Sequence, residues 1–262
     1  MDTHWSKVVK YIQNMTTHDK AFVYTHLGLG DMILMNGAIR FLRERYSKVY
    51  VVCKATYKDT LRSMYEDDPA ILIVVVTGDE DLHPWQEKSQ YLLKKGFDVF
   101  GCGWFSMKSQ KLIYDFPNSF YDDMDIPRSV RQTHYKVPRT EASDNLYETF
   151  ASSTYIIVHQ EASTHALPII ERIRATGDTR LIINLSKTML ELDGVVNIYR
   201  PLIDYARLIE GAEEIHLVDS SLFCFAMSLN LDRVKRRTYY LRPGGVPIDC
   251  FNRFECVTDY VG

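Results

Sequence analysis

Short apolar runs rich in β-branched and aromatic residues alternate along this chain with stretches of helical period. The first set runs AFVYTH (21–26), a helical pattern over 31–46, KVYVVCK (48–54), a helical pattern over 56–66, ILIVVV (71–76), a helical pattern over 84–95 and FDVFGC (97–102). Strand-like runs separated by helix-length segments predict parallel strands joined by crossover helices. ILIVVV shows no polar alternation, which predicts a strand covered on both faces.

From Gly103 to about Ser153 the period loosens through FPNSFYDDMDIPRSVRQTHYKVPRTEASDN, and only NLYETF at its end reads as helical; this predicts a linker with binding loops. A second alternating set follows: TYIIVHQ (154–160), TRLIINL (179–185), GVVNIYR (194–200), a helix over 204–212, EIHLVD (214–219), a helix over 221–230 and RTYYLR (237–242). The pattern predicts an α/β chain with two Rossmann-like halves, residues 1–150 and 151–262, whose parallel sheets face a central cleft. Ahead of the first strand, Trp5, Val8, Val9 and Ile12 share one face of an amphipathic helix that lacks a long apolar core or a small-residue cleavage site.

Composition narrows the class. With 262 residues, 46% of them hydrophobic, the chain can bury a sizeable core and is long enough to be an enzyme. A formal charge of −3 and a pI near 6.2 supply no broad basic surface for nucleic acid. The local cluster RVKRR (Arg233 to Arg237) reads as a solvated approach to a strand. Five cysteines without a C-x-x-C pair fit a reducing compartment, and no stretch reaches the roughly 20 apolar residues of a membrane span. A cytoplasmic protein is expected.

The chemistry concentrates first in HLGLGD (26–31), where a strand hands over to a helix. Its glycines allow a tight turn and close approach of backbone amides, and Asp31 falls in the first turn of a helix, where the dipole favours a carboxylate. A dinucleotide fingerprint would need glycine where Ile33 stands and an acid closing the second strand, which ends at Lys54. A P-loop would need G-K-[ST] after the glycines, and that too is missing. In the second half, DSS (219–221) lies at a strand-to-helix junction, suited to an anion such as a pyrophosphate and equally to an ordinary N-cap. Lys187, in NLSK after an apolar strand, is placed to neutralise a phosphate or simply to face solvent.

HLGLGD followed by GAIRFL resembles the opening of the heptosyltransferase-like proteins of glycosyltransferase family 9, whose GT-B fold has a first strand ending in a G-x-G-D turn. It is closer still to short sequences of this type from large algal viruses and phages, which open HLGLGD…NG…R. VHQEAS (158–163) resembles the family's H-P-G-A-S, with His159, Ala162 and Ser163 matching and Gln160 and Glu161 in place of Pro and Gly. EIHLVDSSLFCFA (214–226) resembles a strand followed by D-[ST]-G-x-x-H-x-A, with Asp219, Ser220 and Ala226 matching, Ser221 in place of glycine and Cys224 in place of histidine. The resemblance implies a glycosyltransferase with an N-terminal acceptor-binding half and a C-terminal donor-binding half. It implies Asp31 as general base, and His159, Ser163, Asp219, Ser220 and Ser221 around the donor together with Lys187.

Other signals compete. Asp79 and Asp81 after ILIVVVT, and Asp123 and Asp125 in DMD, spell the D-x-D of metal-dependent glycosyltransferases of the GT-A fold, where carboxylates hold Mg²⁺ or Mn²⁺. Acidic helix starts explain the first pair as well. His134, His165 and His216 lack zinc-ligand spacing. Aromatic side chains crowd 97–121, mostly as core; Trp104 and Tyr121 are the expected acceptor-sugar contacts, beside Gly28 and Gly30 in the opening turn. The expectation is an inverting, metal-independent transfer from a nucleotide-diphosphate sugar, UDP-sugar foremost, to a glycan hydroxyl, with no cofactor beyond the donor. The partners are donor and acceptor, without nucleic acid or membrane span, in a monomer or homodimer, in the host cytoplasm if the chain is viral. The alternatives are a non-catalytic carbohydrate- or nucleotide-binding protein of the same fold and a D-x-D enzyme. An epimerase or dehydrogenase should carry G-x-x-G-x-x-G and Y-x-x-x-K, which are not found at the appropriate places.

Overall fold

β-Branched runs with no solvated face favour parallel pairing under crossover helices. In the computed structural model every pairing between described strands is parallel. The structure describes residues 18–25, 28–78, 83–102, 116–163, 165–241 and 253–258, which divide into two units. Among these, the first unit holds 18–25, Gly28, 35–78, 83–102 and 118–136, and the second holds 29–34, 116–117, 137–163, 165–241 and 253–258. The expected N-terminal helix, Asp79, Asp81 and Trp104 lie outside the described residues. Among the described residues no helix is long and apolar enough to cross a membrane.

β1 (Lys20–Tyr24) leads into two short helices, α1 (Leu29–Leu34) and α2 (Asn36–Arg43), where one helix over 31–46 is expected from the sequence. The helix is broken at Met35, next to the weak helix formers Asn36 and Gly37. Both have other work. The Asn36 Oδ1 accepts the Lys136 N–H at 2.8 Å. A Cβ on Gly37 would lie 2.5 Å from the Val130 carbonyl oxygen, so only glycine lets α2 approach that backbone. Next come β2 (Lys48–Lys54), α3 (Lys58–Met64), β3 (Ile71–Val76), α4 (His83–Lys94) and β4 (Phe97–Gly101), giving sheet order β3-β2-β1-β4. Phe22, Tyr24, Val52 and Val76 pack with Leu92 of α4 on one face, while Ala21, Val23, Val49 and Val51 are buried on the other.

Two expectations fail in this unit. Among the described strands β3 is the sheet's edge, and Val75 is 41% exposed, so its unbroken apolar run does not mean full cover. The segment expected to be loose contains α5 (Phe116–Asp123) and α6 (Val130–Thr133). At the end of α5, the Asp125 and Ile126 N–H groups bond back to the Asp122 and Tyr121 carbonyls, and Asp125 takes a left-handed φ of 54°. DMD is therefore a helix-terminating turn, where aspartate tolerates that conformation.

The second unit takes in α7 (Glu141–Glu148), so its boundary lies at Val137 rather than at 150. Thr140 caps α7 by accepting the Ser143 N–H at 3.0 Å, with Glu141 and Asp144 in the first turn. The remaining elements are β5 (Tyr155–His159), α8 (Ile169–Ala175), β6 (Leu181–Asn184), β7 (Val195–Asn197), α9 (Ala206–Glu210), β8 (Glu214–Val218), α10 (Ser221–Ala226), β9 (Arg236–Tyr240) and β10 (Glu255–Val257). α7 is tied to α9 by an ion pair of 2.9 Å between Arg207 and Asp144 and by the Arg207 N–H donating to Ser143 Oγ. The sheet order is β10-β9-β8-β5-β6-β7. β5, buried from Tyr155 to Val158, sits where the order reverses: β6 lies on one side of it and β8 on the other. Such a switch point opens a crevice outside the carboxyl ends of the two strands.

Candidate functional site

His159 is the last residue of β5, and Ser220 follows the carboxyl end of the adjacent β8. Their side chains share a hydrogen bond of 3.2 Å between Ser220 Oγ and His159 Nδ1. Ser220 is also the N-cap of α10, in extended conformation, and its Oγ accepts the Phe223 N–H at 3.4 Å. The cap therefore fixes the hydroxyl that in turn orients the imidazole. Burial lowers the His159 pKa to about 4, against an opposing pull from the Glu161 carboxylate, so the ring is neutral near pH 7.

α1 belongs to this unit and packs on α10. A Cβ on Gly30 would stand 3.0 Å from Cys224 Sγ and 3.7 Å from the Ser221 Cα. The missing side chain at Gly30 is thus filled by α10 itself. Asp31, in the first turn of α1, is carried beside the helix that DSS begins. Ile33, where a dinucleotide fingerprint would have glycine, is fully buried. Gly28 and Asp31 are half-buried, as are Asp219 and Ser221.

The two positions that depart from H-P-G-A-S hold this edge together. Gln160 is buried; its N–H donates to Ser186 Oγ at 2.9 Å, and its Oε1 accepts the Ile170 N–H in the first turn of α8 at 3.0 Å. Glu161 Oε2 accepts both the N–H and the hydroxyl of Thr188, each at 2.9 Å. These bonds hold its carboxyl below the usual carboxylate range. Asn184, fully buried at the end of β6, donates to the Thr188 carbonyl and to Asn197 Oδ1 and accepts the Ser186 N–H. Lys187 rides on the loop so fixed and is exposed, as is Ser163 in the turn closed by the Ala162 N–H on the His165 carbonyl.

The structure therefore gathers Gly30, Asp31, His159, Ser163, Lys187, Asp219, Ser220 and Ser221 into one unit. Tyr121 is not with them. It is fully buried in the first unit, and burial raises its phenol pKa, so it is core and cannot touch an acceptor. Gln160, Glu161 and Asn184 shape this edge although nothing in the motif comparison assigns them that task. A polar residue closing the apolar run LIIN is the available signal for Asn184.

A cavity of about 670 Å³ in the first unit is lined by Arg40, Arg43, Glu44, Asp68, Thr133, His134, Tyr135 and Lys136. Its charges are paired: Asp67 with Arg40 at 2.6 Å and Lys136 at 2.7 Å, and Asp68 with Arg43 at 3.1 Å, while His134 Nε2 lies 3.3 Å from Glu44 Oε1. No predicted site residue lines it. Among the described residues no group of three or more His, Cys, Asp or Glu side chains is placed to share a metal ion.

No family model matches the chain, and no curated protein matches it. Solved structures do match. The ADP-heptose lps heptosyltransferase II of E. coli aligns at 13% identity over 93% of this chain and 91% of its own, with a TM-score of 0.60. A glycosyl transferase family 9 protein from Veillonella parvula aligns at 11% identity over 86% of this chain and 80% of its own, with a TM-score of 0.52. The iron-containing dodecameric glycosyltransferase TibC of enterotoxigenic E. coli aligns at 12% identity over 94% of this chain and 63% of its own, with a TM-score of 0.52. The chain has the two-sheet α/β fold of these GT-B glycosyltransferases.

Proposed function

We propose that this chain is a glycosyltransferase that moves a sugar from a nucleotide-diphosphate sugar to a glycan hydroxyl, inverting the anomeric centre without a metal ion. One observation carries the reading: at the switch point of the second sheet, the capped Ser220 orients a neutral His159, and α1 brings Asp31 alongside the same helix start. A base and a set of hydrogen-bond donors thus share one unit. An uncharged imidazole can donate to a phosphate or sugar oxygen without releasing a proton there.

In this mechanism Asp31 takes the proton of the acceptor hydroxyl as its oxygen attacks the anomeric carbon, and the bond to the diphosphate breaks with the electron pair leaving on the phosphate oxygen. General-base assistance of this kind is worth about 10²–10⁴-fold. Lys187, Ser163, Ser220, Ser221 and the first N–H groups of α10 surround the leaving diphosphate, where negative charge grows. Gly30 lets α1 pack against Cys224 of α10, which sets where Asp31 stands. One of the structures this fold matches is named for ADP-heptose, so ADP-sugars stand beside UDP-sugars as first donors to try.

The test is a thermal-shift panel of ADP-, UDP-, GDP- and dTDP-sugars, followed by turnover with the donor that binds. A donor at 100 times its Kd should stabilise the native state by about 2.7 kcal/mol. Asp31→Asn should lower turnover by about 10²–10⁴-fold and keep the donor's thermal shift. Near-normal turnover in this variant removes Asp31 from the base role. Donor binding without turnover in the wild type would make the chain a binding protein, and no binding at all would end the transferase reading.

A further inference from the structure

The loops that follow β5 and β6 meet through one carboxylate. Glu161 Oε2 accepts two hydrogen bonds of 2.9 Å from a single residue of the second loop, the N–H and the Oγ1–H of Thr188. From below, Asn184 Nδ2 holds the Thr188 carbonyl at 3.0 Å and Asn197 Oδ1 at 2.9 Å. Thr188 is thus gripped at its amide, its hydroxyl and its carbonyl. Its neighbour Lys187 is exposed and close enough to Glu161 for their charges to interact.

We infer that Glu161 is a positioning residue: it latches the loop after β6 to the loop after β5, so that Lys187 stands ready for the donor's diphosphate. This rests on the transferase reading given above. Two hydrogen bonds to Thr188 keep the carboxylate turned to the loop backbone instead of collapsed on the Lys187 ammonium. The lysine therefore keeps its charge available while its backbone is immobilised. Charge-assisted bonds to a carboxylate are among the strongest available for such a task. Glycine, which the resembling motif has at this position, could not form the latch; this chain has found another way to shape the same edge.

The experiment compares Glu161→Ala, Glu161→Gln, Thr188→Val and Lys187→Ala by donor KM and kcat, by calorimetric Kd for the matching nucleoside diphosphate, and by exchange of the Thr188 amide proton. Glu161→Ala should raise donor KM and Kd about tenfold, the usual effect of losing a charge-assisted hydrogen bond, with a much smaller change in kcat. Glutamine still accepts both bonds through its carbonyl and should restore most of the affinity. Thr188→Val, which leaves the amide donor in place, should fall between them and serves where Glu161→Ala does not fold. Thr188 amide exchange should be slow in the wild type and fast in Glu161→Ala. In a Lys187→Ala background, Glu161→Ala should cost no further affinity, because the latch acts through that lysine. Full additivity in the double variant, or unchanged KM in Glu161→Ala and Thr188→Val, overturns the inference while leaving the transferase reading standing. If the wild type binds no nucleoside diphosphate, both fall, even with the Thr188 amide protected.

Discussion

Acidification should weaken the native state through His159, and replacing that residue with glutamine should remove the effect. The pKa of His159 is lowered from 6.5 to about 4 in the folded chain, chiefly by burial, while in the unfolded chain it returns to its ordinary value. The unfolded state therefore binds the proton first. The ring's contribution is complete above pH 6.5 and is lost progressively as the pH falls toward 4. The gap from 6.5 to about 4 amounts to about 3 kcal/mol, of which about 2 kcal/mol is gone by pH 5. This is an upper figure, because the side chain is partly open to solvent. His216 is also buried with a lowered pKa and adds in the same direction, so the measurement has to be a difference. Thermal melts of the wild type and His159→Gln between pH 7.5 and 5 should diverge in slope, with the wild type losing about 5 °C more. Parallel curves would show that the ring titrates normally in the folded chain. A bound diphosphate would raise the pKa of a nearby imidazole, so donor should shrink the wild-type slope.

Two glycines and one chelator supply further checks. Gly37→Ala places a methyl 2.5 Å from a backbone carbonyl that cannot rotate away, and should destabilise the first unit by about 1–3 kcal/mol in a denaturant melt. Gly30→Ala meets instead a cysteine sulfur at 3.0 Å that can yield, so its melt should change by less than about 1 kcal/mol while kcat/KM falls severalfold through displaced Asp31. Equal stability losses in the two variants would refute this distinction. EDTA should leave turnover unchanged if transfer is metal-independent; dependence on Mn²⁺ would move attention to Asp79 and Asp81.

Legibility followed interaction range. KVYVVCK and ILIVVV were readable as strands, with limits that match β2 and β3, because a β-branched run between turns has few other uses. That β3 lies at the edge was not readable, since strand order is set by tertiary packing. α8 went unnoticed although IIERIRA follows a proline and carries Arg172 and Arg174 in its last turn, both helix signals. β10 has three residues, too few for any period. Within the site, the motif letters located His159 and Ser220, but their hydrogen bond depends on β5 and β8 being neighbours. The placing of α1 in the second unit left no mark in the local pattern at all. Tyr121 was misassigned because aromatic composition does not separate a sugar platform from core.

The departures from the resembling motifs look like losses in a letter-by-letter comparison and like substitutions of means in the structure. Where the motif has Pro and Gly, Gln160 anchors the start of α8 and Glu161 grips Thr188. Each replaces a backbone preference with a specific hydrogen bond. Where the motif has histidine, Cys224 offers a smaller side chain that meets the bare face of Gly30. A bulkier side chain here would have to turn elsewhere or push α1 aside, and Asp31 with it. The pair Gly30 and Cys224 therefore sets how near the candidate base stands to α10, and it ties the opening turn to the last motif across most of the chain. Within the second unit Ser220 caps the helix after β8, Glu161 tethers the loops after β5 and β6, and α1 packs beside α10.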